Sequence, residues 1–75
     1  MTRRVFPLTG QFIALNDLLK VTGICASGGA GKALVAAGAV QVDGVMETRK
    51  TCKIRHGQTV WVGDVEIRVL RKNPA

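Results

Sequence analysis

Long apolar runs are missing from this 75-residue chain, because the longest one, residues 33–40, contains a glycine and is far shorter than a membrane-spanning helix. Crossing a bilayer takes about 20 consecutive apolar residues, so we expect neither a transmembrane segment nor a membrane partner. The apolar stretch at residues 5–8 is also too short, and is interrupted by Pro7, to be the hydrophobic region of a signal peptide.

Residues that catalyse reactions or bind metals are scarce. His56 is the only histidine, it precedes Gly57 in a predicted turn, and no cysteine or second histidine lies at the spacing of a metal ligand. Asp43 and Asp64 also belong to predicted turns, so no pair of carboxylates is expected in a cleft. A domain this small lacks the volume to enclose an ordinary substrate. We therefore expect no enzymatic activity, no metal site and no cofactor.

Cysteine is equally scarce. The chain has two cysteines, Cys25 and Cys52, and their separation matches neither a metal site nor a redox motif. Free thiols are the rule in a reducing cytoplasm, whereas disulfides form in oxidising compartments. We expect two buried thiols rather than a disulfide, and a cytoplasmic location.

Acidic residues are outnumbered by basic ones. Eleven Lys and Arg against five Asp and Glu give a formal net charge of +6 at pH 7. On so small a body this charge attracts polyanions, nucleic acid first and anionic membranes second, although it could also serve only to keep the protein soluble. With 47% apolar residues, the chain should fold as one domain over residues 1–75, frayed at 1–3 and 71–75.

The first half of the chain predicts one strand and two helices. Residues 5–8 form a short edge strand, where a proline is tolerated. Leu15, Leu18 and Leu19 recur at helical spacing, and a left-handed Gly23 would end that helix. A second helix should follow the N-cap residue Ser27 and end near residue 38. Two helices joined by so short a connection normally pack as a pair.

The second half predicts two β-hairpins. The first hairpin has strands at residues 40–42 and 45–47, and the second has strands at residues 60–62 and 65–69. Both turns consist of aspartate and glycine, which favour two-residue hairpin turns. Residues 48–58 show no clean periodicity. The predicted fold class is α+β, with two short packed helices against a small, mainly antiparallel, curved sheet of about four to five strands.

A cluster of four cations occupies the segment without periodicity. Its members are Arg49, Lys50, Lys53 and Arg55, and no acid lies between Thr48 and Gly63. Clustered like charges repel one another, so the cluster is easier to understand if a polyanion binds it. The alternative is a solvated loop with no partner.

The start of the second helix is rich in glycine. Residues 27–32 read SGGAGK, and glycines at a helix start let a phosphate approach the free N–H groups, with Lys32 adding a charge. A nucleotide-hydrolysing P-loop is excluded, because it needs glycine at Ala26 and serine or threonine at Ala33. The alternative is that these glycines only allow close contact between the helices.

Aromatic residues are few, since tyrosine is absent and only Phe6, Phe12 and Trp61 are present. Proteins that read single strands stack bases on exposed rings. We expect both phenylalanines in the core, and Trp61 either packed under the first strand or partly exposed. Recognition of backbone and shape is therefore favoured over base reading.

Several motifs together resemble a known family. They are Leu18-Leu19-Lys20, Ser27-Gly28 with Lys32, the stretch at residues 38–44 that ends in Val42-Asp43-Gly44, and Gly57 before a hairpin. This pattern resembles the S4-like RNA-binding domain, also called the αL motif, over residues 12–69. The strings at residues 47–50, 52–54 and 57–60 resemble its small stand-alone bacterial members of the YbcJ type.

The resemblance implies an RNA-binding surface formed by the two helices and the adjacent loop, with ribosomal or transfer RNA as the usual target. The positions that match the motif are Lys20, Ser27, Lys32, Arg49, Lys50 and Lys53. Gly28 and Gly29 would contribute backbone N–H groups, and Arg55 is added for its charge. Relatives usually have alanine at Gly31, and glycine inside a helix costs about 0.5–1 kcal/mol, so the first turn of this helix could order only on RNA.

We therefore expect a non-catalytic monomer that binds structured RNA, with the ribosome as a candidate partner. The alternative from another class is a protein-interaction adaptor that docks on an acidic partner or a ribosomal protein through its sheet edge or basic face. Binding to double-stranded DNA is disfavoured, because the second helix is too short and glycine-rich to serve as a recognition helix.

Overall fold

The computed structural model describes residues 2–72 and contains two helices and seven strands in that range. The elements in chain order are β1 (Thr2–Leu8), β2 (Ile13–Ala14), α1 (Leu15–Val21), α2 (Gly28–Ala36), β3 (Val40–Val42), β4 (Val45–Met46), β5 (Lys53–Ile54), β6 (Thr59–Val62) and β7 (Val65–Arg71). Five strands form one sheet in the order β1-β7-β6-β3-β4, and β2 pairs with β5 in a second, two-stranded sheet.

The larger sheet is mixed, and three of its four pairings are antiparallel. β6 pairs antiparallel with both β3 and β7, and β3 pairs antiparallel with β4, whereas the edge strand β1 runs parallel to β7. Both predicted hairpins are confirmed. In the first turn, Asp43 and Gly44 have φ values of 52° and 84°, the conformation that the Asp-Gly pair favours. The α+β prediction is confirmed.

Both helices lie where the sequence predicts them. α1 is followed by Gly23 at φ 80°, and α2 is followed by Gly38 at φ 77°, the left-handed conformation that commonly ends a helix. Ser27 is the N-cap of α2, since its Oγ accepts the Ala30 N–H at 3.2 Å. The first turn of α2 is helical in the structure, including its glycines.

The strand ends differ from the prediction. β1 begins at Thr2 and pairs with β7 along its whole length, and β7 continues to Arg71. The Lys72 N–H also donates to the Leu8 carbonyl oxygen at 2.9 Å. Residues 2, 3, 71 and 72, at which fraying was expected, are thus paired in the structure, while residues 1 and 73–75 lie outside the described range.

The core lies between the helices and one face of the larger sheet. Its fully buried side chains are Leu8, Leu15, Leu18, Leu19, Val35, Val40, Ile54, Val60, Ile67 and Val69. Phe6 is half-buried against this core, and Trp61 is half-buried on the other face of the sheet. Phe12 is 44% exposed, so its predicted place in the core is wrong. No helix within residues 2–72 has the length and apolar character needed to span a bilayer.

Candidate functional site

The first turn of α1 is joined to the loop that precedes β5. Ala14, the residue before the helix, offers no side-chain cap. Instead, the Leu15 N–H donates to the Cys52 carbonyl oxygen at 2.9 Å, and the Asn16 N–H donates to the Lys50 carbonyl oxygen at 3.0 Å. Because the first N–H groups of a helix need partners from outside it, these loop carbonyls both stabilise α1 and fix the backbone of Lys50 beside Asn16.

Helix α2 contacts α1 at the same residue, Asn16, which is buried. A Cβ atom at Gly31 would lie only 2.9 Å from the Asn16 carbonyl oxygen, and one at Gly28 would lie 3.9 Å from Asn16 Nδ2. Only a residue without a Cβ allows the first of these approaches. The interpretation that glycines permit close helix contact is therefore confirmed at Gly31, and the start of α2 lies next to the backbone of α1 that binds the loop.

Two backbone N–H groups at the N-terminus of α2 are unpaired within residues 2–72. The hydroxyl of Ser27 is engaged by the Ala30 N–H, and its carbonyl oxygen accepts the Gly31 N–H at 3.1 Å. The N–H groups of Gly28 and Gly29 have no hydrogen-bond partner within the described residues. Such groups, together with the helix dipole, favour an anion. Lys32 is exposed one turn after Gly28, on the same side of the helix.

Arg49 is not a free cation, because Glu47 binds its guanidinium with both carboxylate oxygens. The distances are 3.1 Å from Nε to Oε2 and 3.1 Å from Nη2 to Oε1, and the Arg49 backbone N–H donates to Oε2 at 2.9 Å. These hydrogen bonds, the side-chain ones first, lower the pKa of Glu47 to about 2. Glu47 is therefore ionised throughout the neutral range, and its negative charge compensates that of Arg49.

The backbone that carries Arg55 is fixed by hydrogen bonds to the first hairpin turn. The Arg55 N–H donates to Gln58 Oε1 at 2.7 Å, and Gln58 Nε2 donates to Asp43 Oδ2 at 3.3 Å. The Thr59 N–H donates to the other carboxylate oxygen of Asp43 at 2.9 Å. One turn carboxylate thus anchors the start of β6 and, through Gln58, the turn before it.

The segments that carry most of the predicted residues lie next to residues 12–16. Lys53 pairs with Ala14 in the small sheet, and Lys50 and the start of α2 both adjoin Asn16. The groups so arranged, of which Gly28 is half-buried and the others are exposed, are Gly28, Gly29, Lys32, Lys50, Lys53 and Arg55, which we name the cationic surface. Lys20 is exposed one turn after Asn16 on the same side of α1.

Other cations lie elsewhere. Arg68 is exposed and alternates with the buried Ile67 and Val69, so it projects from the outer face of the larger sheet. Arg3 projects from the same outer face, because it is the register partner of Glu66 on β7. Positive charge is therefore present on both sides of the molecule, and these two arginines provide a comparison for the cationic surface.

Sequence reasoning missed the residues that organise this site. No sequence pattern distinguishes Asn16, which lies in a leucine-rich helix and whose role depends on contacts with two distant segments. The pairing of Glu47 with Arg49 has a signal in the sequence, since an acid two residues before an arginine can reach it locally. Within residues 2–72 there is no group of three or more His, Cys, Asp or Glu side chains that could hold a metal ion.

Comparison with known proteins identifies relatives of the whole domain. The model of a family described as S4 domain matches residues 6–70. The Escherichia coli (strain K12) protein named "Putative RNA-binding protein YbcJ" is 47% identical over 58 residues, which cover 77% of this chain and 83% of that protein. A Shigella flexneri protein named "Uncharacterized protein YbcJ" is similar to the same extent, at 47% identity over 58 residues.

A solved structure has the same fold. The solution structure of YbcJ from E. coli, described as revealing an αL motif involved in RNA binding, matches with a TM-score of 0.66 at 40% identity. The match covers 93% of this chain and 87% of that one. The likeness therefore extends over the helices, both hairpins and the loop that carries the cations.

Proposed function

This chain belongs to the S4 domain family, and on that premise we propose that it binds structured RNA through the cationic surface, without catalysing a reaction. The named E. coli relative and its αL-motif structure support RNA as the ligand. The observation that carries the proposal is the convergence at Asn16 of the α2 N-terminus and the loop that bears Lys50.

A phosphate fits the place where the α2 N-terminus meets the loop that bears Lys50, for two independent reasons. The Gly28 and Gly29 N–H groups can donate to its oxygens, and the absence of side chains there lets the backbone come close. Lys50 and Lys53 add positive charge from a loop whose backbone is tied to α1. Because both sources are fixed before binding, little ordering entropy is lost when the RNA docks.

Four cations of the surface have no acidic partner within the described residues: Lys32, Lys50, Lys53 and Arg55. Arg49 is a weaker contributor, since Glu47 compensates its charge, and we expect it to position the loop rather than neutralise a phosphate. Neutralising about four phosphates gives a slope of about −3 to −4 in a plot of log affinity against log salt concentration. Lys20 would extend the contact along α1.

The test is a titration of a labelled RNA stem-loop at several salt concentrations. The double variant Lys50→Gln/Lys53→Gln should weaken binding and reduce the steepness of the slope by about 2, because each lost phosphate contact contributes about 1. The matched control is Arg3→Gln/Arg68→Gln, which removes the same charge from the outer face of the sheet. We expect the control to leave the slope unchanged.

Two results would contradict the proposal. If the RNA affinity of the unmodified protein did not change with salt concentration, the RNA would not be bound by electrostatic attraction. If both double variants made the plot of log affinity against log salt concentration less steep to the same extent, net charge rather than this surface would govern binding. Circular dichroism of each variant shows that the comparison is made between folded proteins.

Ribosomal and transfer RNA are the targets we favour, with the protein acting as a monomer in the cytoplasm. Both cysteines are free, half-buried thiols, which fits a reducing compartment. The adaptor alternative has one feature in its favour, the exposed edge strand β1 with Val5 64% exposed. A pull-down after nuclease treatment separates the two functions, since only an adaptor keeps its partners when RNA is gone.

A further inference from the structure

An exposed aromatic ring lies at one end of the cationic surface. Phe12 immediately precedes β2, and Arg55 immediately follows β5, so the register of these antiparallel strands sets the two residues opposite each other. Lys53 lies on the same face, because side chains alternate along a strand. The other face of this small sheet carries Ile13 and the buried Ile54, which contact the core.

Both cations lie over the ring. Lys53 Nζ is 4.9 Å and Arg55 Cζ is 5.7 Å from the centroid of Phe12, within the range of a cation–π interaction. The backbone of Arg55 is itself fixed through Gln58 and Asp43. The ring is therefore held at the surface by ordered neighbours, with 44% of the residue exposed.

A ring flanked by two cations has the chemistry that binds a nucleotide. Every base has a π face that can stack on an aromatic ring or on the plane of a guanidinium, and the phosphates on either side of that base need positive charge. Within residues 2–72, the other aromatic side chain that is turned away from the core is the half-buried Trp61, and it is the register partner of Glu66. A carboxylate at that position disfavours a phosphate, so Phe12 is the better site.

We propose that Phe12, Lys53 and Arg55 bind one unpaired nucleotide of the RNA: its base takes the place of one cation over the ring and stacks there, and its phosphates lie beside the two cations. This inference rests on the proposed function and refines it. The preferred target is then a helix interrupted by a bulge, junction or loop nucleotide, since a base inside a continuous duplex cannot leave its stack without a cost.

The experiment compares two RNA duplexes without a loop that differ only in one unpaired purine, which is 2-aminopurine in the bulged RNA. Phe12→Ala should lower affinity for the bulged RNA by roughly 5- to 150-fold, the range expected for loss of one base–aromatic stack. Affinity for the fully paired RNA should change less than about twofold, because backbone contacts remain. The fluorescence of 2-aminopurine should fall on binding to the unmodified protein and not to the variant.

Two further variants separate stacking from folding and from apolar bulk. Phe12→Tyr keeps the π face and should retain the preference for the bulge, whereas Phe12→Leu keeps apolar volume and should lose it. Val5→Ala is the matched control, since it truncates another exposed apolar side chain, on the outer face of the larger sheet. It should bind both RNAs as the unmodified protein does.

The possible failures are distinguishable. If the unmodified protein binds neither RNA, the proposed function fails and this inference with it. If the unmodified protein binds both RNAs equally and Phe12→Ala does the same, RNA binding stands and only the nucleotide site is overturned. An equal loss on both RNAs would also overturn it, because the ring would then contact the duplex itself.

Discussion

Gly31→Ala tests the contact that brings the two halves of the site together. The added Cβ would lie 2.9 Å from the Asn16 carbonyl oxygen, a backbone atom that cannot rotate away as a side chain could. Overpacking of this kind costs about 1–3 kcal/mol, whereas replacing glycine by alanine in a helix gains about 0.5–1 kcal/mol. We therefore expect a net loss of about 1 kcal/mol in the free energy of unfolding.

Thermal unfolding followed by circular dichroism measures this loss. For a domain of 60–100 residues, 1 kcal/mol corresponds to a fall of about 4–8 °C in Tm. Gly29→Ala is the matched control, because a Cβ there would meet only Ser27 Oγ, at 3.9 Å. The control should be neutral or stabilising by up to about 0.5 kcal/mol. If Gly31→Ala were as stable as Gly29→Ala, the helices would not be held in close backbone contact and the reasoning would be refuted.

Other predictions concern the cap of α2 and the loop thiol. Ser27→Ala should lower the free energy of unfolding by about 1 kcal/mol and Ser27→Gly by only a few tenths, and urea unfolding that gives equal losses would contradict the capping role. Burial first, and then the hydrogen bond to Glu47, raise the pKa of the Cys52 thiol. Removing the carboxylate in Glu47→Gln lowers that pKa, which increases the thiolate fraction, so iodoacetamide should alkylate Cys52 faster at pH 7.5 in a Cys25→Ala background. An unchanged or slower rate would show that Glu47 does not act on the thiol.

The fold could be predicted largely because its signals are local. The leucine spacing of α1, the Ser27 cap and the Asp-Gly turn are each encoded within a few residues, and each is confirmed. The small β2–β5 sheet was missed because two-residue strands show no alternation. The parallel pairing of β1 with β7 joins the two ends of the chain, and no local pattern specifies such a contact.

The site could be predicted less well than the fold. Charge alone identified the cations, but it could not show that Glu47 compensates Arg49. The exposure of Phe12 was missed because an apolar residue beside a helix is usually buried. Here Ile13, its neighbour, takes the inward face of the small sheet, and alternation then turns Phe12 outward.

The central claim is that RNA docks where the start of α2 meets the loop before β5. Its most direct test is a titration of ¹⁵N-labelled protein with an RNA stem-loop, in which NMR measures the chemical shift of each backbone amide. The account predicts that the largest shift changes occur at Gly28, Gly29, Lys50 and Lys53, while Arg68 on the outer face of the sheet is unaffected. Largest changes on that outer face, with the α2 amides unmoved, would contradict it.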